Sequence, residues 1–152
     1  HHKGKLVIGV ENTPTVIFDL MQFLVIDLGG VVGQIGMGQH GEEGGGRCKI
    51  KTADETADIM VDALVKDLEL QRGERVLLLI NGSGATTLME QLLVYRRCVK
   101  HLADLGIEVA ANYVGELLTT QEQAGFQMSM VRMNDQLLEY WNAPCNTAYF
   151  KK

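Results

Sequence analysis

Residues 76–114 read VLLLINGSGATTLMEQLLVYRRCVKHLADLGIEVAANYV, and the hydrophobic rhythm changes twice along them. Val76 to Ile80 is an unbroken apolar run of the kind buried on both faces of a sheet. Asn81-Gly82-Ser83-Gly84-Ala85 is expected to turn the chain. Thr87-Leu88-Met89-Glu90 spells a capping box, Leu88, Leu92, Tyr95, Val99 and Leu102 supply an apolar stripe at helical spacing, and Leu105-Gly106 supplies the stop. Ile107 to Val114 predicts a second strand. Strand, turn, helix and strand within about 40 residues make a βαβ unit, whose two strands run parallel with a right-handed crossover. The fold class follows: α/β, with a sheet built round this unit and helices packed on it.

Working outward, Thr52-Ala53-Asp54-Glu55 is another capping box, and Ala57, Met60, Val61, Leu64 and Leu68 continue it as a helix that ends before Arg72-Gly73. Beyond the unit, Phe126 to Met133 alternates Phe126, Met128 and Met130 against Gln127 and Ser129, which predicts a strand. Asn134 or Asp135 caps a short helix through Trp141, and residues 142–150 read as an extended tail with apolar anchors. Met89, Met128, Met130 and Met133 are expected to fill the core. The N-terminal third is less regular. His1-His2 resembles the tail of a purification tag and is set aside. Leu6 to Val10 predicts a strand, Thr15 to Gln22 a short helix behind Pro14, and Phe23 to Ile26 another strand-like run. An apolar, Gly-rich ribbon from Val31 to Gly38 then enters the loop Gln39-His40-Gly41-Glu42-Glu43-Gly44-Gly45-Gly46.

Composition narrows the function classes. Of 152 residues, 46% are hydrophobic and 22% charged, which disfavours disorder, collagen and simple coiled coil. Fourteen basic against 19 acidic residues give a formal charge of −5, so the average field repels nucleic acid. No apolar run reaches the roughly 18 residues of a membrane helix, and the expected compartment is the cytoplasm. Cys48, Cys98 and Cys145 form neither a metal knuckle nor a disulfide framework and read as reduced thiols.

The chemistry-bearing candidates are few. Asn81-Gly82-Ser83-Gly84-Ala85-Thr86 lies where backbone N–H groups can meet a phosphate, but it lacks the lysine of a P-loop and the third glycine of a dinucleotide fingerprint. The expected role is packing of helix on strand. Ser83 lacks the spacing of a nucleophile elbow. His101 falls within the helix and reads as a surface residue. His40, Glu42, Glu43 and Cys48 make only a loose metal cluster, and no metal is expected. His40 differs from the others, because it stands in a glycine-walled loop with two carboxylates close behind it. A neutral imidazole can attack an electrophilic carbonyl, and a carboxylate on its other nitrogen would fix the tautomer. A solvated, idle loop histidine is the alternative.

Several ordered motifs carry a resemblance. Gly36-Met37-Gly38-Gln39-His40-Gly41-Glu42-Glu43-Gly44 resembles the Gly-x-Gly-x-His-Gly-Glu-Pro-Gly signature of the dihydroxyacetone-binding K subunits of glycerone kinases. Asn81-Gly82-Ser83-Gly84-Ala85-Thr86 resembles the Asn-Gly-x-Gly-Ala-Thr-Pro turn of that family. Tyr113-Val114-Gly115 with Thr119-Thr120-Gln121-Glu122-Gln123-Ala124-Gly125-Phe126, and Trp141-Asn142-Ala143-Pro144, are similar to later family segments. The likeness covers Gly36 to Phe150.

It implies a dihydroxyacetone kinase substrate-binding subunit, or a fragment of one, that holds the ketone as a hemiaminal on His40 with Gly38 and Gly41 leaving room for it. It further implies a homodimer that binds no cofactor itself. Nucleotide and Mg are expected on a partner L subunit or domain, recharged by the phosphotransferase system or by ATP. By the same resemblance residues 36–152 are a C-terminal K-type domain, and 1–35 an incomplete or diverged remnant of the ketone-binding N-terminal region. The chain departs from the pattern in places. Glu43 replaces the signature proline, Thr87 replaces the proline after Ala-Thr, and Thr15 falls where the family holds its general-base aspartate. The alternative is a non-catalytic K-like regulatory protein that binds dihydroxyacetone or partner subunits without turnover.

Overall fold

The computed structural model describes residues 49–119 and 124–152 in full, and the backbone of the strands that precede them. The elements are β1 (Leu6–Ile8), β2 (Val16–Ile26), β3 (Val32–Ile35), β4 (Arg47–Lys49), α1 (Ala53–Asp67), β5 (Arg75–Gly84), α2 (Leu88–Leu105), β6 (Glu108–Gly115), β7 (Ala124–Met133) and α3 (Asp135–Asn142). All the strands join one mixed sheet in the order β4-β3-β2-β7-β5-β6, with β1 also paired to β2. β5 and β6 are parallel, as the βαβ reading requires, and the remaining pairs are antiparallel.

Both helix starts expected from the sequence are present. Thr52 and Thr87 each cap a helix and each takes part in a reciprocal box, with Glu55 and Glu90 respectively. At the other end of α2, Gly106 adopts φ 78°, the left-handed conformation that glycine enters without a Cβ penalty. Helices α1 and α2 pack side by side over one face of the sheet. Their buried residues Met60, Val61, Leu64, Val94, Cys98 and Leu102 meet Val76, Leu78, Ile80, Phe126, Met128 and Met130 from β5 and β7. The opposite face carries a smaller cluster, Leu77, Ala111, Val131 and Met133, covered by Leu137, Leu138 and Trp141 from the C-terminal segment.

Four expectations are corrected. Thr15 to Gln22 is not helical: Val16–Ile26 is one strand, paired with β7 from Phe18 to Val25. β-branched and aromatic residues dominate it, and a partner on each side satisfies its backbone. Asn81 to Gly84 does not turn but continues β5, because β7 pairs alongside all four residues and β6 alongside Asn81. The tail after Trp141 folds back, with Thr147 N donating to Phe150 O at 2.9 Å and Asn146 bridged to Lys151. Finally, α2 buries Gln91, Val94, Cys98 and Leu102, leaving Leu88, Met89 and Leu92 of the expected apolar set in solvent.

A ladder of ion pairs ties α1 to α2. Arg96 meets Asp54, Arg97 grips both oxygens of Asp58 at 2.7 Å, and His101 Nε2 lies 2.7 Å from Asp62. His101 is thus a half-buried helix staple with 19% of its side chain exposed, not the free surface residue expected. The Arg97 fork holds the Asp58 carboxyl below its ordinary value. A depressed carboxylate contributes stability above its unfolded-state pKa, about 3.9, and loses it as pH falls through the lower folded value. Asp58→Asn is therefore expected to lower the thermal midpoint near neutral pH and to converge with the parent once pH falls below the depressed folded value. Melting curves across that range check it.

Candidate functional site

The C-terminal end of β5 gathers a set of buried, placed polar groups. Asn81 is 2% exposed there, and its carboxamide is fully engaged. Its Oδ1 accepts from Leu117 N at 2.6 Å and Leu118 N at 3.0 Å. Its Nδ2 donates to Leu118 O at 2.7 Å and to Gln127 Oε1 at 3.1 Å. One side chain thereby fastens the loop after β6 to β5 and to β7. A second tie runs from Gly84 N to Thr119 Oγ1, 2.9 Å. An asparagine inside an apolar strand is costly to bury unless all its bonds are made, and here they are.

On the helix side of the same strand, Gly82 touches the buried carboxamide of Gln91. A Cβ built on Gly82 would lie 2.7 Å from Gln91 Cδ, so glycine here leaves room for the carboxamide against the strand. Gln91 Nε2 donates to Thr86 O at 3.1 Å, while Gln91 Oε1 and Gln127 Nε2 are buried without a partner. Ser83 is 2% exposed within the sheet, so it is no accessible nucleophile. The glycine-rich segment is no open anion cradle either. Gly84 N is taken by Thr119, Thr86 N by Ser83 O, and Thr87 N by Glu90. Those bonds from Thr87 keep the Glu90 carboxyl below its usual range.

Nearby thiol and phenol groups are quiet. Burial pushes the Cys98 thiol up to about 12, which leaves it protonated and unreactive at neutral pH. Burial also raises Tyr95. At the end of β6, Tyr113 meets Phe150 edge to face at 5.7 Å, and the Tyr149 hydroxyl donates to Glu116 O, which closes the tail over the second face of the sheet. Among the described residues, no group of three or more His, Cys, Asp or Glu is placed to hold a metal ion, and no helix is long and apolar enough to cross a membrane.

Gly38, His40 and Gly41, with Glu42 and Glu43, lie outside the described residues. The strands on either side of them are described. Val32, Gly33 and Gln34 of β3 pair with Lys49, Cys48 and Arg47 of β4, so His40 belongs to the connection of a β-hairpin. The last β3 residue, Ile35, shares a cross-sheet row with Phe23, Phe126 and Gly82. Three strand spacings, about 14 Å, separate the foot of that hairpin from the Asn81 and Gly82 cluster. Gln91 and Gln127 did not stand out as site residues in the sequence, and Asn81 was read only as part of a glycine-rich turn. The available signal was a polar side chain at an inward position of an otherwise apolar strand or helix face.

Comparison with known proteins agrees with the motifs. The Dak1 domain family matches residues 27–149. The dihydroxyacetone-binding subunit DhaK of a phosphotransferase-dependent dihydroxyacetone kinase 2 from Listeria innocua is 36% identical over 118 residues, covering 78% of this chain and 36% of that protein. An L-erythrulose kinase from Pectobacterium atrosepticum is 34% identical over 122 residues, 78% of this chain and 21% of that protein. A solved structure described as regulation of the dha operon of Lactococcus lactis superposes with a TM-score of 0.74 at 25% identity, covering 84% of this chain and 40% of that one. The chain thus spans about a third or less of the length of these curated relatives. With the family model matching most of the chain and a dihydroxyacetone-binding subunit 36% identical to it, the chain belongs to the Dak1 domain family of dihydroxyacetone-kinase substrate-binding subunits.

Proposed function

We propose that this chain is a K-type dihydroxyacetone-binding domain in which His40 captures the ketone covalently. The supporting observation is the signature run Gly36 to Gly44 in the β3–β4 connection of a chain that is 36% identical to a dihydroxyacetone-binding subunit. In the reaction the free ring nitrogen of His40 attacks the carbonyl carbon. A C–N bond forms, the C=O π bond opens, and the proton on the other ring nitrogen is lost as the new alkoxide gains one. The hemiaminal is neutral, needs no oxidant and reverses by the same path. Gly38 and Gly41 leave room for a three-carbon ketone at the ring. Glycerol has no carbonyl and is rejected by chemistry. Capture also fixes the terminal hydroxyl for phosphoryl transfer, where positioning supplies much of the rate.

In this reading residues 36–152 are the K-type domain and 1–35 a remnant of the ketone-binding N-terminal region. The chain works in the cytoplasm as a homodimer. The phosphoryl group comes from a partner L subunit that carries nucleotide and Mg, and that partner decides between ATP and the phosphotransferase system. A second reading, a K-like regulator that binds the ketone or partner subunits without turnover, is favoured by the likeness to a structure described as regulating a dha operon and by Thr15 at the general-base position.

The test uses dihydroxyacetone labelled with 13C at the carbonyl. The parent chain converts the carbonyl resonance to that of a saturated hemiaminal carbon, and His40→Ala leaves the free ketone signal alone. Unchanged adduct in His40→Ala would sink the proposal. Added L subunit then separates the readings: a kinase forms phosphorylated ketone, whereas a regulator holds the adduct without product.

A further inference from the structure

Gln127 Nε2 is buried without a hydrogen-bond partner, and the bonds around it leave its orientation no freedom. Leu117 N and Leu118 N both donate to one end of the Asn81 carboxamide, so that end is the carbonyl oxygen. The other end is the amine, which donates to Leu118 O and to Gln127, so the Gln127 atom that accepts is Oε1. Reversing either amide would set donor against donor. Two backbone N–H groups thus fix, through two carboxamides in series, a bare N–H donor on a residue that is 5% exposed. A buried donor without an acceptor is costly and calls for an oxygen that the neighbouring side chains do not supply.

We propose that this N–H group donates to a hydroxyl oxygen of the captured ketone, which makes Gln127 a binding residue that favours hydroxylated ketones. The proposal rests on the capture reading given above. Its surroundings suit such a ligand. On the face turned away from α1 and α2, β7 changes from Met133 and Val131 to Ser129 and Gln127, and β5 from Leu77 and Leu79 to Asn81 and Ser83. The change falls at one level of the sheet, since Leu77 pairs with Val131, Leu79 with Ser129 and Asn81 with Gln127. All four polar residues are buried and uncharged, which fits neutral hydroxyls and offers an anion no counter-charge. The parallel strands β5 and β6 both end here, with Asn81 beside Gly115, and the carboxyl ends of parallel strands are where α/β sheets hold small ligands.

The register leads from Gln127 toward the signature run. Gln127 pairs with Gln22 of β2, one residue from the row that holds Phe126, Phe23 and Ile35, the last residue of β3. Gly36, next in sequence, opens the run that carries His40. Two strand spacings, about 10 Å, separate β7 from β3. Gln91 Oε1, the other buried amide end without a partner, lies on the opposite face of the sheet against Gly82 and does not share this row.

Titration of carbonyl-labelled dihydroxyacetone into the 15N-labelled chain tests the contact. Gln127→Met keeps the length of the side chain and removes the donor. Asn81 Nδ2 retains Leu118 O in that variant, so it is expected to keep the parent's circular dichroism spectrum and its hydrogen-exchange protection at Leu117 and Leu118. The dissociation constant of the adduct should rise about tenfold in Gln127→Met. In the parent, the side-chain amide resonance of Gln127, assigned by through-bond correlation to its own backbone, should move downfield as the adduct forms. Equal dissociation constants in the two proteins would overturn the contact. So would a Gln127 resonance that stays in place, the result expected where an ordered water alone completes the donor. A parent that forms no adduct overturns ketone capture, and this contact with it, whereas the first two outcomes leave capture standing.

Discussion

Asn81→Ala is expected to lower the unfolding free energy by about 3–5 kcal/mol, because it strips partners from several buried groups at once and each costs about 1–3 kcal/mol. Leu117 N, Leu118 N and Leu118 O lose the carboxamide that satisfies them, and Gln127 is left with both ends of its amide unpaired. Water reaches the loop groups and limits the loss, while Gln127 stays buried and takes its share in full. Urea denaturation gives the change in stability. Hydrogen exchange adds a positional readout: protection should fall first at Leu117 and Leu118, while the amides of α1 keep theirs. Asn81→Asp, which keeps the acceptor but loses the donors and buries a charge, should be no better than alanine.

Gly82→Ala is the second large effect, about 3 kcal/mol, and it arises from one added methyl. The new Cβ occupies the place of the Gln91 carboxamide, whose side chain is 1% exposed. Either Gln91 swings out and gives up its bond to Thr86 O, or the start of α2 lifts from β5. Overpacking of this kind costs about 1–3 kcal/mol, and loss of the buried hydrogen bond adds to it. The double variant Gly82→Ala with Gln91→Ala separates the two. Removing the carboxamide opens room for the methyl, so the pair should be less destabilised than the sum of the singles, a coupling that a double-mutant cycle reads directly.

Local chemistry made much of the fold legible. Thr52 with Glu55 and Thr87 with Glu90 announce both long helices, Gly106 announces where the second one stops, and the run Val76 to Ile80 announces its strand. These signals act within a few residues, so no knowledge of the rest of the chain is needed to read them. The strand β2 was illegible for the opposite reason. Val16 to Gln22 offers no alternation and stands behind a proline that suits a helix start. Pairing with β7, about a hundred residues away, and with β1 and β3 on the other side makes it a strand. Asn81 to Gly84 misled in the same way: all four residues favour turns, but β7 extends the ladder through them.

The face of α2 was half legible. The i, i+4 spacing of Leu88 and Leu92 is a true helical signal, yet spacing alone does not say whether a stripe meets the sheet or solvent. Gln91, a polar residue, takes the inward place because Gly82 makes room for it. Within the candidate site, His40 was found by a motif that needs only its own loop. The asparagine and glutamines at the strand ends emerge only when β5, β6 and β7 are brought together.

The pairing of Phe18 with Val131 has a consequence for biosynthesis. β2 emerges from the ribosome long before β7 is made, and during that interval an eleven-residue, mostly apolar segment has no long-range partner on one side. The nascent chain must therefore shelter that edge, through a chaperone or through early pairing with β1 and β3, until β7 is translated. Slowing translation before residue 124 should accordingly raise the aggregated fraction, whereas slowing it after residue 133 should not.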